Sequence, residues 1–251
     1  MSQSKCILKC KLVLLFSLLF WIISLNPSNA QNINAEQLIK ASINYHDPEL
    51  NWKTFKDTLI VEMTTPNQTP RVSKVHINNL NNDFYLKVEK DGNNFSYNIA
   101  SNKCDMTLNG NSNFNESDAK KFNLNCDRGN MLKNYYTYLY GMPMKILDPG
   151  AIISNKVERK SFHGKDYLVI IVSYSPEVGS DIWFFYFNPK NYALEAYQFF
   201  KSDDNGKIIT DTGEYILFEG ETIINDIKLP KIRKWYYNKN NQYLGTDTLT
   251  N

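Results

Sequence analysis

The chain has 251 residues, of which 42% are hydrophobic, 14% aromatic and 22% charged, with a formal net charge of +2. That length suits one ordinary domain or two small ones. The charge balance excludes a strongly basic nucleic-acid binder and an acidic disordered chain, and the apolar fraction is that of a protein able to build a core.

Lys5, Lys9 and Lys11 open the chain without an acidic residue, and Leu12 to Leu25 is apolar except for Ser17 and Ser24. The run is shorter than the roughly 18–20 residues that span a bilayer. Ser28 and Ala30 stand two apart, as signal peptidase requires. Residues 1–30 are therefore expected to be a cleaved signal peptide, with an uncleaved anchor as the alternative, and 31–251 a single domain that is periplasmic or secreted. It is not expected to be lipidated, because Gln31 stands where a lipoprotein carries Cys and both Cys6 and Cys10 precede the apolar run. Cleavage removes three of 28 basic residues and none of the 26 acids, shifting the balance from +2 to −1. Nothing in that charge favours a nucleic-acid partner. Cys104 and Cys126 become the only thiols, and in an oxidising compartment they are expected to pair, the alternative being two separate buried thiols.

Asn34 reads as a helix N-cap, with Gln37 completing a capping box. Ala35, Leu38, Ile39 and Ile43 form its apolar stripe, and Pro48 ends it. Strands follow at 58–64 and 72–78. Residues 83–89 alternate, with Phe84, Leu86 and Val88 on one face, and Asp91-Gly92 turns the chain into Phe95, Tyr97 and Ile99. Ser117 is placed to cap a short helical turn. A second helix is expected over 127–140, where Met131, Leu132, Tyr135, Tyr136 and Leu139 recur at helical spacing before Gly141 and Pro143. Further strands are expected at 157–162, 167–173, 182–188, 193–201, 213–220, 231–237 and 243–250. Short consecutive connections favour an antiparallel sheet that curls over βαβ units. The fold expected is mainly β (α+β), with about 10–12 strands and two or three helices.

Trp183, Phe185 and Phe187 alternate with Phe184 and Tyr186, and Tyr197 and Phe199 alternate with Phe200. A strand apolar on both faces must have both covered. Two readings stay open: a thick two-sided core, or an apolar cavity inside a curled sheet, since barrels of this size hold small ligands. The residues placed on the cavity wall by alternation are Phe84, Leu86, Trp183, Phe185, Tyr197, Phe199 and Trp235.

The hairpin 182–201 with its Asn188-Pro189 turn resembles the central hairpin of LolA-like periplasmic proteins, and His163-Gly164-Lys165-Asp166-Tyr167 resembles the hairpin before it. The stretches Tyr45-His46-Asp47-Pro48 with Trp52, Tyr140-Gly141-Met142-Pro143-Met144-Lys145, Asp148-Pro149-Gly150, Lys234-Trp235-Tyr236 and Tyr243-Leu244-Gly245-Thr246-Asp247 are similar to those of a group of uncharacterised exported proteins of Gram-negative bacteria. The likeness covers most of 32–251. It implies a half-open antiparallel barrel closed by helices around an apolar cavity, and a superfamily whose members carry lipoprotein acyl chains or other lipids.

Catalytic signatures are sparse. His46, His76 and His163 have no second His at short zinc spacing, so no metal is expected. No nucleophile elbow, phosphate loop or dinucleotide fingerprint is present, and no cofactor is expected. Asp203-Asp204-Asn205-Gly206 fails as a calcium loop because Lys201 would occupy the first ligand position. Glu219 and Glu221 share a strand face, a pattern more often solvated than catalytic. His46 and Asp47, at a helix end, form a polar pair with either a capping or an acid–base role. Lys228, Lys231, Arg233 and Lys234, beside Trp235, Tyr236 and Tyr237, could meet an anionic membrane surface or form a solvated strand face.

The reading these observations favour is a non-enzymatic envelope protein whose partner is an apolar small molecule, a lipid or an acylated protein. The alternatives are an interaction protein with a filled core and an enzyme using His46 and Asp47.

Overall fold

The computed structural model describes residues 33–101 and 103–251, so the expected signal peptide and its cleavage site near Ala30 lie outside the described residues. Helix α1 (Ala35–His46) starts as the capping box requires. The Asn34 side chain accepts the Gln37 N–H at 2.9 Å, and the Gln37 side chain accepts the Asn34 N–H at 3.0 Å. Its buried stripe is Ala35, Leu38, Ile39, Ser42 and His46.

Five strands then meander antiparallel: β1 (Lys56–Thr64), β2 (Arg71–Asn78), β3 (Asp83–Lys90), β4 (Asn93–Ala100) and β5 (Lys103–Leu108). A helical segment follows, α2 (Glu116–Phe122) and α3 (Cys126–Tyr140). The remaining strands are β6 (Ala151–Ile153), β7 (Glu158–Phe162), β8 (Lys165–Tyr174), β9 (Ile182–Phe187), β10 (Leu194–Phe200), β11 (Glu214–Ile224), β12 (Ile227–Tyr237) and β13 (Tyr243–Leu249). The last strand returns to the first, Val61 opposite Leu249 and Thr64 opposite Thr246. That pairing joins the two meanders into one 13-stranded sheet ordered β5-β4-β3-β2-β1-β13-β12-β11-β10-β9-β8-β6, with β7 beside β6 on the edge of β8. β5 and β6 end the sheet without pairing to each other, so the sheet curls without closing.

The expected mainly β, curled antiparallel architecture with covering helices is present, with three differences in detail. There are 13 strands where 10–12 were expected. β6 has three residues, too few to show a period, and β5 mixes polar and apolar residues on an outer edge. Asn115 caps α2, its side chain accepting the Asp118 N–H at 2.8 Å, so Ser117 lies inside the helix it was expected to cap. β12 begins before Pro230, which opposes Glu221 beside a break in the ladder at Gly220, a place where a strand proline costs least.

The concave face carries Leu59, Val61, Val75, Ile77, Phe84, Leu86, Tyr97, Ile170, Phe185 and Ile216, all buried. Helix α3 packs against this face. Tyr136 stacks on Phe84 at 6.3 Å, and the Tyr97 hydroxyl donates to the Asn123 carbonyl at 2.9 Å. Gly129 lets the helix approach, because a Cβ there would lie 2.9 Å from Cδ1 of Tyr97. Cys104 of β5 and Cys126 at the start of α3 are joined by a disulfide with Cα atoms 5.9 Å apart. The convex face of β8–β10 has its own core of Tyr167, Val169, Phe184, Tyr186 and Ala196, covered in part by Phe162 and Ile208. The doubly apolar strands are thus covered on both faces.

Candidate functional site

Between α3 and the concave face, at the sheet end where β1 turns into β2 and β12 into β13, lies a half-open cavity of about 530 Å³. Its sheet wall is aromatic. Trp183 stacks on Phe199 at 4.8 Å and lies 5.5 Å from Tyr197, whose ring is 6.4 Å from Trp235. The helix supplies Tyr135, Tyr138 and Leu139, and Tyr138 meets Trp183 edge to face at 5.5 Å. Alternation explains the wall: Trp183 opposes Phe199, and Tyr197 opposes both Phe185 and Ile216, so the same face is presented strand after strand. Gly213, at φ +70°, makes the turn into β11, and a Cβ there would fall 2.0 Å from the Phe199 carbonyl oxygen.

Of the seven residues placed on a cavity wall by alternation, Trp183, Tyr197, Phe199 and Trp235 line this cavity. Phe185 shares their face but is fully buried behind Trp183. Phe84 and Leu86 lie on the same face of β3, where Phe84 packs under Tyr136 and Leu86 lines a separate space of about 110 Å³. Helix α3 crosses the sheet between the two regions, Tyr135 and Leu139 lining the larger and Leu132 and Tyr136 the smaller.

A polar row runs beneath the cavity. Register carries Arg71 of β2 to Met63 of β1, to Asp247 of β13, to Arg233 of β12. Arg233 is 1% exposed; its guanidinium lies 4.1 Å over the Tyr140 ring and donates to the carbonyls of Leu139 (3.4 Å) and Pro230 (3.5 Å). Asp247 Oδ2 accepts the Trp235 indole N–H at 3.0 Å, while Oδ1 has no partner among the described residues. Burial pushes the Asp247 carboxyl up, against the opposing pull of Arg233 and Arg71. Asp181 and Glu214 also line the cavity, and burial raises both carboxyls.

The His46–Asp47 pair has a different geometry. His46 is 2% exposed and bridges two strands. Its Nδ1 is 2.8 Å from the Lys228 carbonyl and its Nε2 is 3.0 Å from the Leu194 N–H, which fixes the neutral tautomer protonated on Nδ1. Burial lowers its pKa, partly countered by the Lys228 carbonyl. Asp47 accepts the N–H groups of Asn51 (2.7 Å) and Trp52 (2.9 Å), capping the 3-10 turn that follows α1. Both groups spend their hydrogen bonds on the backbone. Glu219 is bound to Lys234 and Glu221 to the Tyr45 hydroxyl, so the two carboxylates have separate partners. The basic strip is also divided: Arg233 points into the sheet interior and Lys228 covers the Tyr45 ring at 4.0 Å.

The family model described as a family of unknown function, DUF6503, matches residues 11–251. The chain belongs to the DUF6503 family. No curated protein sequence matches it. Among solved structures, the DUF6503 chain is similar to a LolA superfamily protein from Nitrosomonas europaea, at 9% identity and a TM-score of 0.51 over 87% of this chain and 92% of that one. A DUF1329 family protein from Desulfovibrio piger aligns at 9% identity with a TM-score of 0.48, over 86% of this chain and 91% of that one. The LolA likeness shows the fold that the residue stretches above suggested.

Sequence reasoning missed several residues of the DUF6503 cavity. Tyr135, Tyr138 and Leu139 are spaced as one helical face and were legible in principle; Met131, among the residues at helical spacing, is 41% exposed. Arg71, Asp181 and Glu214 sit at strand starts or in loops, where no period marks them.

Proposed function

We propose that this DUF6503 protein is a periplasmic or secreted binding protein that holds an apolar ligand, a lipid or an acyl chain, between α3 and the curled sheet, without catalysis. The observation that carries the reading is the half-open cavity of about 530 Å³ walled by Tyr138, Trp183, Tyr197, Phe199 and Trp235. Its volume falls within the range typical of small-molecule sites. The LolA-like fold supports the same reading, since that resemblance implies acyl-chain carriage. Export would follow from the apolar leader pattern of residues 12–25 and the small residues at 28 and 30.

The mechanism is burial. Each methylene withdrawn from water contributes about 0.8 kcal/mol. A chain of about ten methylenes thus supplies about 8 kcal/mol, the same order as the roughly 4–15 kcal/mol that association costs. Tight binding therefore needs a contribution besides the chain.

Trp183 and Trp235 line the cavity, whereas Trp52 is buried beside Phe55. A fatty acyl probe brominated along its chain is expected to quench the fluorescence of the protein saturably. Replacing Trp183 and Trp235 together by Phe is expected to remove most of the quenching. Equal quenching in that variant, or none in the wild type, would refute the assignment.

A further inference from the structure

The structure assigns the cavity an amphiphilic ligand with one anionic head, a carboxylate or a phosphate, and assigns Arg71 as the residue that holds the head. This rests on the cavity being a ligand site. A bare acyl chain asks for no polar group in its pocket, and burying an unpaired one is costly. Nine buried side-chain polar atoms have no partner among the described residues, and six of them gather on this face: Arg71 Nε, Ser73 Oγ, Tyr140 Oη, Tyr197 Oη, Arg233 Nε and Asp247 Oδ1. Five of the six are donors, a set that an acceptor-rich group satisfies, whereas Asp247 Oδ1 is an acceptor that an anion leaves unpaired. Arg71 and Tyr197 are the two whose side chains also line the cavity.

The two arginines of the row differ in availability. Arg233 is committed to the carbonyls of Leu139 and Pro230 and to the faces of Tyr140 and Phe218. Arg71 makes no ion pair among the described residues, and it borders both the large cavity and the smaller space beyond α3. A guanidinium so placed offers the forked donor geometry that suits a carboxylate or phosphate. Charge on the rest of the wall sets the orientation. Asp181 lies just before β9, and Glu214 opens β11, four strands along the sheet from β2, so both disfavour an anion on that side, whereas Asp247, on the row of Arg71, does not line the cavity. The head is thereby directed to Arg71 and the tail to Trp183, Phe199 and Tyr138.

The test compares dodecanoate, dodecyl phosphate, dodecanol and inorganic phosphate by calorimetry on the purified protein, below the micellar concentration of each amphiphile. Both anionic amphiphiles are expected to bind at least about tenfold more tightly than dodecanol. Whichever of the two binds more tightly identifies the head. Arg71→Met is expected to bring the ratio of anionic to neutral affinity close to one. If Arg71→Met lacks a cooperative melting transition, Arg71→Lys replaces it, and its ratio is expected to fall at least about threefold because an ammonium lacks the fork. A wild-type ratio near one, or a ratio unmoved by the Arg71 variant that folds, overturns the assignment of the head while leaving an apolar-ligand site standing. Inorganic phosphate bound as tightly as dodecyl phosphate overturns the amphiphile, since the tail would then contribute nothing. If none of the four binds, both this inference and the proposed function fail.

Discussion

Trp235 contributes to two features of the molecule at once. Its ring is part of the cavity wall and its indole N–H is the hydrogen-bond donor to buried Asp247. Trp235→Phe keeps an aromatic wall but leaves the carboxylate without that partner, and is expected to lower unfolding free energy by about 1–3 kcal/mol, measured as a shift in urea midpoint. His46 is expected to behave as a structural residue. His46→Ala strands the Leu194 N–H and the Lys228 carbonyl together, at a cost of about 2–5 kcal/mol. Its pH signature has a definite sign. Burial lowers the folded pKa below the unfolded value of about 6.5, so between the two the unfolded chain binds the proton and the folded chain does not. The neutral histidine is accommodated fully above about pH 6.5, and stability falls as pH drops below that value. His46→Gln is expected to flatten this part of the stability profile relative to wild type; an unchanged acid slope would show that His46 is not its source.

At the scale of elements, the helix that roofs the cavity is tied down at its start and pressed close in its first turn. The disulfide closes a loop between residues 22 apart in sequence, from edge strand β5 to the first residue of α3. Replacing both cysteines by Ser is expected to cost about 3 kcal/mol, read from denaturant unfolding. Gly129→Ala would stabilise an exposed helix by about 1 kcal/mol. Here the methyl would meet the Tyr97 ring at 2.9 Å, so that gain is expected to be absent or reversed in a thermal melt. Much of this architecture was legible in the sequence, because most strands alternate and most turns carry Gly, Asn or Asp. Phe84, Leu86 and Val88 mark β3 as plainly as Asn34 and Gln37 mark the start of α1. The stretches that were not legible have a physical reason. β6 is too short to show a period, and Pro230 reads as a breaker although the ladder break at Gly220 accommodates it.

For the whole molecule, the decisive event is the return of β13 to β1, a pairing between opposite ends of the described chain. It aligns Arg71, Met63, Asp247 and Arg233 across four strands, residues scattered over more than 160 positions of sequence. No local pattern shows that row, which is why the aromatic wall could be read from alternation and the polar floor could not. The same curl leaves the sheet unclosed and the cavity half-open at one end, under α3. The measurement that tests this account most directly is native mass spectrometry of the protein purified from its native source without detergent. The account predicts a discrete added mass that solvent extraction identifies as a lipid or another acylated molecule. A clean unliganded mass, with no uptake after incubation with lipids, would contradict it.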